Sequence, residues 1–273
     1  MKPIYRVARA TFFEAWRRRF LNAILIFAVL IIGSSWSLAY LQPGAELTLL
    51  IDIGLGSIRF FGMLIAVFLG VRLIADEMEK RTIHTLLAKP VNRTQFLFGK
   101  FLGALATVWS NILLMGIAFY IVFALKAPQF RNMDPEKGPI VRMDFMYANI
   151  AKAIGISLLE VGCIVAIAVM ASTIFSWILA AIFSFFIYFV GQMADFFRVL
   201  AEHHERVQSA IQRALFALLY AVLPHFEVFD VREAILKDQF LPWTTIGKIV
   251  VTGLLYMSIA TLIAWLFFKN REV

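Results

Sequence analysis

Glu160 is the residue whose chemistry is hardest to ignore, because it lies inside an apolar run that reads as a membrane span. An ionised carboxylate at that depth costs about 2.5 to 3.5 kcal/mol to insert, so it must meet a polar partner, line a water-filled path or be protonated. Either it serves the protein's function, or it makes a structural hydrogen bond to a neighbouring span, for which Asn111 and Gln192 are the candidates. Other chemistry-bearing residues form weaker patterns. In Glu202-His203-His204-Glu205 the side chains are metal-competent, but neighbours on a helix point about 100° apart and cannot converge on one ion, so a solvated helix face is the reading. Gly99-Lys100 is followed by Phe101 rather than Ser or Thr, so it is no phosphate-binding loop. His84, His203, His204 and His225 sit in no nucleophile motif, and the single Cys163 excludes an internal disulfide. The expectation is a non-catalytic chain that binds no metal, cofactor or nucleic acid and does not bind ATP by itself.

The elements that must position these residues are membrane helices. The 273 residues are 61% hydrophobic and only 16% charged, with 27 Phe and 6 Trp, against about 25% charged in soluble domains. Apolar runs long enough to cross a bilayer predict an all-α, polytopic protein with six spans: Phe20–Leu41, Ile58–Ala75, Phe101–Leu125, Ile150–Phe175, Trp177–Phe197 and Ile246–Phe268. The first run is about twice the length of a signal-peptide core and is read as a span.

The net charge of +8 is carried largely by residues flanking these runs, and reads as a topology signal. Lys2, Arg6, Arg9, Arg17, Arg18 and Arg19 precede span one; Arg72, Lys80, Arg81, Lys89, Arg93 and Lys100 lie between spans two and three; Lys269 and Arg271 follow span six. By the positive-inside rule these segments and both termini are cytoplasmic. The far side also carries Lys126, Arg131, Lys137, Arg142, Arg198, Arg206, Arg213, Arg232 and Lys237, so it is the density of charge more than the count that sets the orientation.

No stretch outside the spans is long enough for a soluble domain, so residues 1–273 form one membrane domain. Its cytoplasmic arm, 1–19, places Ile4, Ala8, Phe12, Ala15 and Trp16 on one helical face and Arg6, Arg9 and Arg17 on another, which describes either an interfacial helix or a basic anchor. After span three, Ala127-Pro128, Asp134-Pro135 and Gly138-Pro139 predict an irregular connector. The exterior loop, 198–245, is helical: an amphipathic helix from Asp195 to about Leu223, stopped by Pro224, then a short helix through Ile235 started by Asp230 and Glu233. Gly99 and Gly103, or Ala66 and Gly70, have the spacing for close helix contact.

The cytoplasmic hairpin, 76–100, reads as helix, break, helix. Ile83, Leu86 and Leu87 share a face, Pro90 forces Lys89 out of helical geometry, and Asn92 with Gln95 forms a capping-box-like entry into span three. Such a hairpin suits docking to a cytoplasmic partner; a solvated connector is the plainer alternative.

In Glu77, Thr82, Leu86, Leu87, Pro90, Arg93, Gly99 and Lys100 the chain resembles the loop of ABC-2-type transporter permeases. The similarity extends over the six-span layout, the N-terminal helix, the turn near Ser176 and the exterior Leu223-Pro224-His225-Phe226-Glu227, and is closest to the NosY-like branch linked to multicopper-enzyme maturation. One departure is Arg81, where the family usually has Gly before the Thr. The resemblance implies a permease subunit of an ATP-binding cassette exporter in a prokaryotic inner membrane. It would dimerise with a second copy or a paralogue and pair with separately encoded ATPases that carry the ATP. The segment from about Asp76 to Leu87 would hold the coupling helix, with Glu77, Thr82, Leu86, Leu87 and Arg93 as coupling residues, and the exterior cap would act as an outer gate. Composition alone is also compatible with an ATP-independent channel or scaffold.

Overall fold

The computed structural model describes residues 2–41, 45–79, 92–131, 143–202, 210–236 and 241–270. The regular elements among them are all helical. They are α1 (Lys2–Trp16), α2 (Arg19–Leu38), α3 (Glu46–Glu79), α4 (Arg93–Arg131), α5 (Met143–Ile174), α6 (Trp177–Gly191), α7 (Ala194–Glu202), α8 (Ala210–Val222), α9 (Arg232–Leu236) and α10 (Trp243–Asn270), with 3-10 turns at Ala39–Leu41 and Phe226–Phe229.

Five helices, α2, α3, α4, α5 and α10, are each long and apolar enough to cross a bilayer. The pair α6–α7, bent by 51°, and the pair formed by α8 with Phe226–Leu236, bent by 50°, meet that standard only jointly. Among the described residues the candidate crossings therefore number from five to seven, and three of the predicted elements change.

Span two does not begin at Ile58. Its helix starts at Glu46, which draws Asp52 into the helix and sets Arg59, the second residue of the predicted span, well inside it. The charge of Arg59 looks like a membrane boundary in the sequence, but it is neutralised within the fold. Span five is not a straight crossing through Phe197: α6 is 15 residues, roughly 22 Å at 1.5 Å per residue, short of the ~30 Å hydrocarbon core. Ala127-Pro128 does not open an irregular loop, since α4 continues through Pro128 to Arg131. A proline so close to a helix end forfeits only one backbone bond. This end is also held from outside by Tyr40 Oη donating to Gln129 Oε1 at 3.2 Å and Lys126 Nζ donating to the Trp36 carbonyl at 2.9 Å.

Helices α3 and α5 form the centre, packed against each other, with α4 and α6 also against both. Their approach relies on a small-residue contact: a Cβ on Gly70 would lie 2.7 Å from Ala168 Cβ. On the outside, α2 packs on α3 and α4, and α10 packs on α5. Lipid-facing side chains such as Phe27, Ile117, Ile182, Phe186 and Leu255 account for the high mean hydropathy of +0.81, because a bundle in lipid is apolar outside as well as inside.

The spacing of Gly99 and Gly103 has its explanation in α1. A Cβ on Gly99 would fall 2.7 Å from Val7 Cβ, and one on Gly103 would fall 2.5 Å from the Ala8 carbonyl oxygen. The amphipathic arm thus crosses α4 backbone to backbone, burying Thr11 and Ala15, while Arg6 and Arg9 stay exposed. Nearby, Phe96 stacks on Phe268, Trp265 Nε1 donates to Thr94 Oγ1 at 3.0 Å, and Arg18 lies beside Leu73. The arm, the end of α3, the start of α4 and the end of α10 therefore share one face of the bundle, as their common positive charge predicts. Helix α4 starts as expected, Asn92 N–H donating to Gln95 Oε1 at 3.4 Å.

Candidate functional site

Glu160 is fully buried on α5, 17 residues from the first residue of α5 and 14 from the last, so roughly 20 Å or more of helix separates it from either end. Arg59 of α3 faces it. The guanidinium donates from Nε to Oε2 and from Nη2 to Oε1, both at 2.8 Å, a bidentate pair with 8% and 1% of the two side chains exposed. Of the two partners suggested by sequence, Gln192 is one: its Nε2 donates to Oε1 at 2.9 Å. Asn111 instead donates to the Thr107 carbonyl of its own helix.

The third nitrogen of Arg59, Nη1, pairs with Asp230. That carboxylate also accepts from Arg232 Nε at 2.9 Å and from Arg232 Nη2, and it caps α9 by accepting from the Arg232 backbone N–H at 3.2 Å. Arg232 Nη1 lies 3.9 Å from Asp52 Oδ1, which closes the network back onto α3. Charges alternate along it: Glu160, Arg59, Asp230, Arg232, Asp52. The mutual attraction and the charge-assisted bonds together offset the desolvation of groups that would be prohibitive singly.

Asp230 lies in the connector between α8 and α10, outside the five helices that are each long and apolar enough to cross a bilayer. Burial would raise its carboxyl, but the hydrogen bonds from Arg232 and the charges of Arg59 and Arg232 outweigh that and hold it well below the usual carboxylate range. The Arg232 guanidinium is pushed up in turn, chiefly by its bond to Asp230.

The connector reaches this depth because α6 ends early. Gly191 meets the Pro224 carbonyl and the Phe226 ring so closely that a Cβ there would sit 2.5 Å from the carbonyl oxygen. Phe226 is fully buried, its ring 5.6 Å from that of Tyr188. Glu227 accepts from the Asp195 backbone N–H at the start of α7, satisfying a donor exposed by the break. His225 is held by Tyr256, Nδ1 to Oη at 3.0 Å. The segment from Leu223 to Leu236 is thus a re-entrant cap, seated on the interrupted helix and pinned by Asp230 to Arg59.

Other basic residues mark the two surfaces. Lys126 Nζ lies 3.9 Å from the Tyr40 ring centroid and Lys152 Nζ 5.0 Å from that of Trp243 at one end; Arg72 sits over Trp177 and Lys269 over Trp265 at the other.

The remaining predicted site residues lie at or beyond the edge of the described residues. Glu77 lies in the last turn of α3 and Arg93 opens α4, while Thr82, Leu86 and Leu87 fall outside the described residues, as do His203, His204 and Glu205. Sequence reasoning missed Arg59, Asp230, Arg232 and Asp52. The available signal was the apolar stretch Leu47–Leu55 preceding Arg59, which places an arginine inside a span and calls for an acidic partner.

Several long apolar helices around a buried charge network, with aromatic and basic residues at both ends, define a multi-pass α-helical membrane protein. The family described as ABC-2 family transporter protein matches residues 8–273, and the chain belongs to that family. It is similar to the probable ABC transporter permease protein NosY of Pseudomonas aeruginosa, at 32% identity over 168 residues covering 60% of this chain and 57% of the relative. The protein of the same name from Stutzerimonas stutzeri is 37% identical over 107 residues, 38% of this chain and 39% of the relative. The matched segments thus span little more than half of the first relative and well under half of the second.

Proposed function

We propose that this chain is the permease subunit of an ATP-binding cassette exporter, embedded in a prokaryotic inner membrane with both termini cytoplasmic. It forms the translocation path with a second copy or a paralogue, and ATP is bound and hydrolysed by a separate ATPase subunit. Family membership and the permease names of two relatives support the reading. The observation that carries the mechanism is the continuity of α3. This single helix leads from Glu77, beside the proposed coupling segment, to Arg59 in the buried network 18 residues away, roughly 27 Å along the axis.

In this mechanism the ATPase engages Glu77, Thr82, Leu86, Leu87 and Arg93. Closure of the nucleotide-bound ATPases favours one arrangement of α3 and α4 and so shifts the population between inward-facing and outward-facing states. The re-entrant cap is the outer gate, and the Arg59–Asp230 contact ties it to the helix that moves. Glu160 fixes Arg59 from the other side, so a displacement of α3 against α5 must rearrange the network.

The test is purification of tagged chain from its host in mild detergent, with mass spectrometry of co-eluting proteins and an ATPase assay. A stoichiometric ATPase that is lost when Leu86 and Leu87 are both replaced by Asp is the expected result. A homogeneous preparation with no ATPase, from cells that express their transporter ATPases, overturns the reading in favour of a channel or scaffold.

A further inference from the structure

A groove of about 830 Å³ opens sideways between α2 and α3, walled by Phe20, Phe27, Phe60, Phe61, Ile24 and Leu64. Its one polar end is formed by Asp52, Gly56 and Ser57. Arg232 lies beside this end: a Cβ on Gly56 would be 3.5 Å from Arg232 Nη1, in ordinary van der Waals contact. An acid and a guanidinium, 42% and 33% exposed and 3.9 Å apart, thus sit together at the mouth of an aromatic trough.

The depth of this polar end follows from α3. Arg72, exposed and set over Trp177, marks one membrane surface. Asp52 lies 20 residues away along the same helix, roughly 30 Å, which is the thickness of the hydrocarbon core. Asp52 is therefore at headgroup level in the opposite leaflet. From there to Leu64 the groove descends 12 residues, roughly 18 Å, comparable with the ~15 Å depth of one leaflet.

We infer that the groove is a binding site for one zwitterionic, amine-bearing phospholipid of the leaflet at the N-terminal end of α3. Its phosphate rests on Arg232, its ammonium on Asp52, and an acyl chain lies along the phenylalanines. Opposite charges side by side match a headgroup that carries both signs. A purely anionic headgroup would meet the Asp52 carboxylate, and a second copy presenting only apolar side chains would offer no polar contact to the exposed part of either charged group at the rim. The site depends on the membrane-spanning fold alone, and not on the presence of an ATPase.

The test uses the full chain, with whatever subunits accompany it, in nanodiscs of equal phosphatidylethanolamine and phosphatidylglycerol. Lipids retained after detergent extraction are counted by native mass spectrometry. One phosphatidylethanolamine per chain, preferred several-fold over phosphatidylglycerol, is expected. Asp52→Asn should abolish or reverse that preference, and Phe60→Ala, at a half-exposed position, should lower retention of both lipids while α-helical content stays unchanged. No retained lipid, or a preference unaltered by Asp52→Asn, overturns the assignment. So does efficient disulfide cross-linking of two chains through Phe27→Cys, with Cys163→Ser, in native membranes, since a second copy would then fill the groove.

Discussion

Replacing Arg59 by Met should be the most damaging single change in the buried network. It removes both 2.8 Å bonds to Glu160, leaving that carboxylate with Gln192, and takes from Asp230 one of its two guanidinium partners. Breaking one partner out of a buried ion pair costs about 3 to 5 kcal/mol. At about 2 to 4 °C per kcal/mol for a chain of this size, the midpoint should fall by roughly 6 to 20 °C. Glu160→Gln should cost less, about 1.5 to 3 kcal/mol, since Arg59 keeps Asp230 and a neutral amide still fits beside it. The double variant Arg59→Met/Glu160→Met removes both charges and should recover most of the loss, because Asp230 retains Arg232. Thermal unfolding of the detergent-purified chain, followed by tryptophan fluorescence, gives all three midpoints. The reasoning fails if Arg59→Met melts within about 2 °C of the parent, or if the double variant is no more stable than Arg59→Met.

Further outcomes follow from other contacts. Gly103→Ala drives a methyl into the Ala8 carbonyl and Thr11 and should cost about 1 to 3 kcal/mol, freeing α1 for limited proteolysis. Gly155→Ala and Gly247→Ala, where nothing lies within 4 Å, should be neutral or slightly stabilising, and equal sensitivity at all three sites would contradict the packing. The Asp230 carboxyl is lowered in the folded state, so its contribution is fully present above the ordinary carboxylate value near 4 and fades only as pH falls below it through the folded value. The melting midpoint of the parent minus that of Asp230→Asn should accordingly be flat from pH 8 to 5 and shrink below about 4; a difference that shrinks between pH 7 and 6 would argue against this ion pairing. Glu77→Lys should lower substrate-stimulated ATPase activity of the assembled complex without abolishing membrane insertion, and unchanged stimulation counts against coupling through that residue. Glu160→Gln should impair transport in a stable, well-expressed complex, whereas normal transport would make the network a packing contact only.

The amino-acid sequence by itself determined the class of the protein, because hydrophobicity and charge act locally. A run of some twenty apolar residues must become a membrane helix whatever surrounds it, since its backbone has no other way to satisfy its hydrogen bonds in lipid. The same holds for the capped start of α4 at Asn92 and Gln95, for the stop at Pro224, and for the clustering of the basic arm with the ends of α3, α4 and α10 on one face. Glu160 also declared itself, since an acid in a span demands a partner, and Gln192 was a legible candidate. What only the tertiary structure decided is which charges meet. Asp52 fell in the loop before the predicted second span and Arg59 at its very edge, because hydropathy assigns each residue a depth from its neighbours along the chain. The actual environment of Arg59 comes from Glu160, 101 positions away, and from Asp230, carried inward by a cap that can approach only because Gly191 has no side chain. Ion pairing across helices cancels the cost that marks a charge as a boundary. Span two is therefore longer than its predicted bounds and span five shorter, and both departures occur at the network that joins the cap to the core.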